Sequence, residues 1–142
     1  MIGVLALAAA LIAGSTASAN AAAVYDGFFR GAPESDLKLR FVKHDGKRYL
    51  DFLRYERVRA TCDDESPTQL FGERSFGRRE VRVRRGRFEF AQESSPDDIF
   101  RIAGTLIKGQ QKAEGTFRYR GEVDGRGVCD TGRLEWVTYR TS

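Results

Sequence analysis

The sequence predicts an all-β antiparallel domain of about eight strands. Three observations carry this. Apolar side chains recur at every second position in several runs beyond residue 24. Turn-forming residues separate those runs, and helical periodicity is nearly absent after the N-terminal stretch.

The elements follow in order. Val24–Arg30 reads as a short first strand. Leu37, Leu39 and Phe41 alternate with Lys38 and Arg40, and His44-Asp45-Gly46 supplies turn chemistry. The next run, Tyr49–Cys62, changes parity midway. Leu53 and Tyr55 share one face, whereas Val58, Ala60 and Cys62 share the other, so a β-bulge near Tyr55–Arg57 is expected. Asp63–Gly77 holds Pro67, two glycines and mixed polar residues and reads as the one long loop.

Val81 and Val83 then alternate with Arg82 and Arg84, Arg85-Gly86 turns, and Phe88 and Phe90 return. Phe100, Ile102, Gly104 and Leu106 form the next run, closed by Lys108-Gly109-Gln110-Gln111. The cleanest alternation spans Ala113 to Val123, with Ala113, Gly115, Phe117, Tyr119, Gly121 and Val123 on one face. Asp124-Gly125-Arg126-Gly127 turns into a last strand with Leu134 and Trp136. Strands joined mostly by hairpins make a meander, which closes as a narrow or flattened barrel or stacks as a sandwich. Glycines at 104, 115 and 121 strip side chains from the inner face. That permits tight packing or leaves room for a ligand.

A total of 142 residues fits one domain and excludes a multidomain enzyme. No charged side chain precedes Asp26, and Ile2–Ala13 is almost unbroken apolar sequence, followed by small residues and Ala17-Ser18-Ala19. This is the pattern of a signal peptide, residues 1–19, with cleavage alternatives up to residue 23 and a secreted domain over 20–142. The apolar core lacks a preceding Lys or Arg, which fits a start codon further upstream; an uncleaved anchor and a disordered cytosolic tail are the other readings. No cysteine near the cleavage site could accept a lipid. After its removal no apolar run is long enough to span a membrane. In an oxidising compartment Cys62 and Cys129 most simply form one structural disulfide. Opposite walls of a wide barrel would keep them too far apart to bond, which favours a narrow or flattened one.

Few residues suggest chemistry. Six arginines fall within residues 78–87, and Arg78, Arg82 and Arg84 would share one strand face. Guanidinium forks bind phosphate, sulfate and carboxylate bidentately, so this stripe, extended by Arg118 and Arg120, is the candidate polyanion site. An ordinary solvated face is the competing reading, because the chain prefers Arg over Lys throughout, 19 to 5. A formal net charge of +4 without a nucleic-acid motif does not favour DNA or RNA as partner. His44, the only histidine, sits in an expected turn, and no serine has nucleophile-elbow context. Asp63-Asp64-Glu65 and Asp97-Asp98 lack calcium-loop spacing. With no phosphate loop, dinucleotide fingerprint or HExxH motif, no catalytic residue, metal or cofactor is expected.

Gly115-Thr116-Phe117-Arg118, followed by Cys129-Asp130-Thr131-Gly132 and Trp136, resembles the C-terminal half of a loose group of small secreted β-rich proteins from high-GC Gram-positive bacteria. The resemblance implies export, a β fold and a disulfide to a partner at Cys62. It implies no activity. The functional expectation is a secreted, non-enzymatic domain that binds anionic extracellular or cell-envelope polymers. The alternative is a small-molecule carrier with a barrel interior lined by Phe117, Tyr119 and Trp136; an enzyme is the third class.

Overall fold

A computed structural model describes residues 22–142; the signal-peptide reading of residues 1–19 lies outside the described residues. The chain forms ten strands: β1 (Ala23–Phe29), β2 (Ala32–His44), β3 (Lys47–Cys62), β4 (Pro67–Ser75), β5 (Val81–Arg82), β6 (Arg87–Ser95), β7 (Asp98–Ile107), β8 (Lys112–Val123), β9 (Gly127–Asp130) and β10 (Leu134–Arg140). All pairings are antiparallel. The order β10-β1-β2-β3-β9-β8 closes on itself through β8–β10, which makes a six-stranded barrel. β4 and β5 extend it beyond β3, and β7 and β6 extend it beyond β8. Among the described residues no helix is long and apolar enough to cross a membrane.

The barrel and the disulfide are as the sequence predicts, with ten strands where about eight were expected. Two differences account for the count. The expected long loop Asp63–Gly77 is a turn followed by strand β4. Its alternation is invisible because Leu70 is the one fully buried side chain on it and Pro67 opens it, as suits an outer strand. Gly72 supplies room instead of a side chain, since a Cβ there would run into the ring of buried Tyr55. The last strand is also split. Gly132, in the left-handed region (φ 64°), breaks the chain between β9 and β10. β9 can therefore pair with β3 and β8 beyond the points where β2 and β10 leave them.

The bulge falls where the parity change places it. The β3–β4 register shifts between Tyr55 and Val58, and Arg57 lies at φ 55°. That extra residue puts Leu53, Tyr55, Val58, Ala60 and Cys62 all inside. It also carries β3 from its β2 partner to β9, where Cys62 lies directly opposite Cys129 with Cα atoms 3.9 Å apart.

Side chains fill the interior. Tyr25, Phe29, Phe41, Phe117 and Trp136 are all essentially inaccessible to water, and their rings meet edge-on or tilted at centroid distances such as 5.4 Å (Tyr25–Phe41) and 5.2 Å (Phe29–Phe117). One inner row runs straight across four strands: Phe88 on β6, Gly104 on β7, Gly115 on β8 and Trp136 on β10. Gly104 gives up its side chain so that the flanking rings lean over it, their centroids 6.2 Å apart, whereas Gly115 makes room for the β7 backbone, since a Cβ there would run into the Ala103 carbonyl oxygen. The inner glycines thus serve packing here.

Candidate anion-binding groove

The β2–β3 turn is Asp45-Gly46, both residues left-handed (φ 53° and 72°), the two-residue hairpin that Asp-Gly favours. Lys43 and Lys47 flank it. Short β5 lies against the start of β3, with Val81 opposite Leu50 and Arg82 opposite Tyr49; the Val83 amide donates to the Arg48 carbonyl at 2.9 Å. This pairing exists because Val81 is buried in the core and drags its neighbours onto the edge of β3. The next turn, Arg85-Gly86, is again left-handed at both residues (φ 52° and 75°) and leads into β6.

Two basic hairpins therefore stand side by side. Between them lies an open groove of about 520 Å³, whose cationic walls are Lys43, Lys47, Arg48, Arg82, Arg84 and Arg85. No Asp or Glu lines it. Among the described residues only Arg48 of these six has a side-chain partner, donating to the Gln110 side-chain oxygen. The Arg82 Nε is buried and has no hydrogen-bond acceptor. A buried guanidinium N–H without an acceptor is costly.

The five arginines singled out from the sequence do not form one surface. Arg82 and Arg84 line the groove. Arg78 is exposed in the turn before β5, not on a strand. Its neighbour Arg79 is left-handed (φ 68°) and pairs with Asp45, tying the two hairpins together. Glu80 accepts the Gly77 amide at 2.6 Å and so serves its own turn.

Arg118 and Arg120 belong to a different network. Arg118 forks onto Asp130 at 2.8 and 3.3 Å; Arg120 bridges Asp130 (3.2 Å) and Asp97 (2.9 Å). Arg118 first, with the Gly132 amide and Arg120 adding to it against partial burial, holds the Asp130 carboxyl below the usual carboxylate range. These arginines are committed to binding β8, β9 and the β6–β7 turn together.

Other candidates are engaged in local structure. His44 packs on the Tyr49 ring at 5.9 Å, while neighbouring Asp45 pairs with Arg79. Asp63 accepts the Val128 amide and Asp64 the Ser66 amide, at 2.9 and 3.0 Å. Among the described residues no group of three His, Cys, Asp or Glu is placed to hold a metal ion. Sequence reading missed Lys43, Lys47, Arg48 and Arg85 as partners of Arg82. The available signal was the basic flank of the Asp45-Gly46 turn, but a two-residue strand is too short to show which edge it joins. No protein-family profile, curated protein or solved structure matches the chain.

Arg85 offers a test of function against stability. It occupies the first left-handed position of its turn, where Asn is favoured and a long side chain is strained. Arg85→Asn is expected to raise stability by about 0.5–1 kcal/mol while weakening anion binding. Urea midpoints and anionic-resin elution measure the two effects, and unchanged elution would take Arg85 out of the site.

Proposed function

We propose that the chain is an exported, non-enzymatic domain that binds an anionic extracellular or cell-envelope polymer in the groove between the β2–β3 and β5–β6 hairpins. The observation that carries this is the lining: six cationic residues and no carboxylate. The N-terminal apolar stretch with its Ala-x-Ala end and the Cys62–Cys129 bond support export. The carrier reading has less support. Of the residues expected to line a ligand cavity, Phe117 and Trp136 are fully buried, Phe117 packed on Phe29 and Trp136 on Phe88.

Binding of this kind releases counterions, so log affinity should fall linearly with log salt, with a slope that tracks the number of cationic contacts. Wild-type protein should be retained on phosphocellulose and elute as salt rises. Arg82→Gln with Arg84→Gln should lower the slope by about two. Arg54→Gln, whose residue pairs with Glu56 at 3.3 Å on another part of β3, should leave it unchanged. Retention that is absent, or indifferent to salt, would exclude the reading.

A further inference from the structure

Arg82 and Arg84 line two grooves. On one side is the all-cationic groove described above; on the other is a second, of about 530 Å³, on the outer face of β6, β7 and β8. The second groove has a different chemistry. Its floor carries the small side chains of Ala103, Thr105 and Thr116, and its walls are of mixed charge, with Glu89 and Glu114 beside Arg82, Arg84 and Arg87. Glu114 is neutralised by Arg30 at 3.2 Å and Lys112 at 3.5 Å. Glu89 stands exposed and makes no ion pair among the described residues.

A chain long enough to contact both arginines from end to end passes from a purely cationic groove into one presenting hydroxyls and a free carboxylate. A polymer charged at every link would set an anion against the unpaired Glu89, and like charges at that range repel. A polymer whose acidic groups are separated by hydroxylated units avoids this. Its acidic groups sit against Lys43, Lys47, Arg48, Arg82, Arg84 and Arg85. Its hydroxyls donate to the Glu89 carboxylate and exchange hydrogen bonds with Thr105 and Thr116, and bonds to a charged acceptor are the stronger kind.

Resting on the function proposed above, we infer that the ligand is a polyhydroxylated polymer bearing spaced acidic groups, an anionic glycan or polyol phosphate in chemical class, and that Glu89 selects it over a continuous polyanion. Glu89 acts by recognition, and its side chain is exposed, so its removal leaves the fold in place.

The test uses two probes of matched total charge: dextran sulfate of low substitution, which is hydroxyl-rich, and inorganic polyphosphate, which has no hydroxylated spacer. Binding of each is measured by titration calorimetry at fixed salt for wild type and Glu89→Ala, with a melting curve to verify folding. The expected result is opposite in sign for the two probes. Glu89→Ala should weaken dextran sulfate about three- to tenfold, through loss of a charge-assisted hydrogen bond, and strengthen polyphosphate about twofold or more, through loss of a repulsion. If the variant strengthens both probes, or changes neither, the glycan assignment is overturned while anion binding stands. If wild type binds neither probe at low salt, the anion-binding function itself falls.

Discussion

Trp136→Ala is expected to cost about 3–5 kcal/mol, the usual range for deleting a buried tryptophan. The site has little capacity to collapse. The indole lies over Gly104, which has no side chain to move into the vacated space. Its Nε1 also donates to the Thr116 carbonyl at 2.9 Å, so truncation removes that donor as well. The same geometry predicts a coupling. A Cβ at Gly104 would stand 2.6 Å from the Trp136 ring and 2.8 Å from Phe88. Gly104→Ala in the wild-type chain should therefore cost about 1–3 kcal/mol by overpacking. In the Trp136→Ala background the new methyl enters emptied space, and the penalty should shrink or reverse, with Phe88 keeping the relief partial. Urea denaturation of the four proteins measures this cycle. Additive costs would mean that the indole and the glycine do not share that space.

Replacing Cys62 and Cys129 together by Ala is expected to cost about 2–5 kcal/mol. The bond closes a loop with a sequence separation of 67, for which chain entropy alone accounts for about 4 kcal/mol. Its position adds a local consequence. β9 is four residues long and meets β3 through only Thr61–Asp130 and Cys62–Cys129, so this is the narrowest seam of the closed barrel. Without the bond, amide exchange should accelerate first in β9 and at the end of β3, before the rest of the sheet. Urea titration and hydrogen exchange of the double variant test both parts. A variant as stable as wild type would place the strength of the seam in the Asp63–Val128 bonds, where backbone and carboxylate each hold one amide at 2.9 Å.

Much of this architecture is legible in residue order. Alternation from Ala113 to Val123 marks β8 because an inner face and an outer face differ in what they exclude, and a period of two is the local record of that difference. The parity change around Arg57 marks a bulge for the same reason: the core must be served by both halves of β3, and one extra residue is the local remedy. The disulfide follows from two cysteines and a presumption of export, and it restricts which strand ends can meet.

β4 left no such record. It buries Leu70 and otherwise lies on the outside, so its place is set by hydrogen bonds to β3 rather than by an amphipathic pattern of its own. The cationic groove was half legible. The run of arginines from Arg78 to Arg87 is plain in the sequence, and local alternation even places Arg82 and Arg84 together. What residue order does not carry is which distant charges stand beside them. Asp130 takes up Arg118 and Arg120, and Asp45 takes up Arg79. Arg82 and Arg84 instead meet Lys43, Lys47 and Arg48 with no carboxylate among them. Strand and turn preferences act over a few neighbouring residues and so appear in the local pattern. Charge neutralisation depends on pairs far apart in the chain, and it is set only when Val81 docks against Leu50 and brings the two hairpins together.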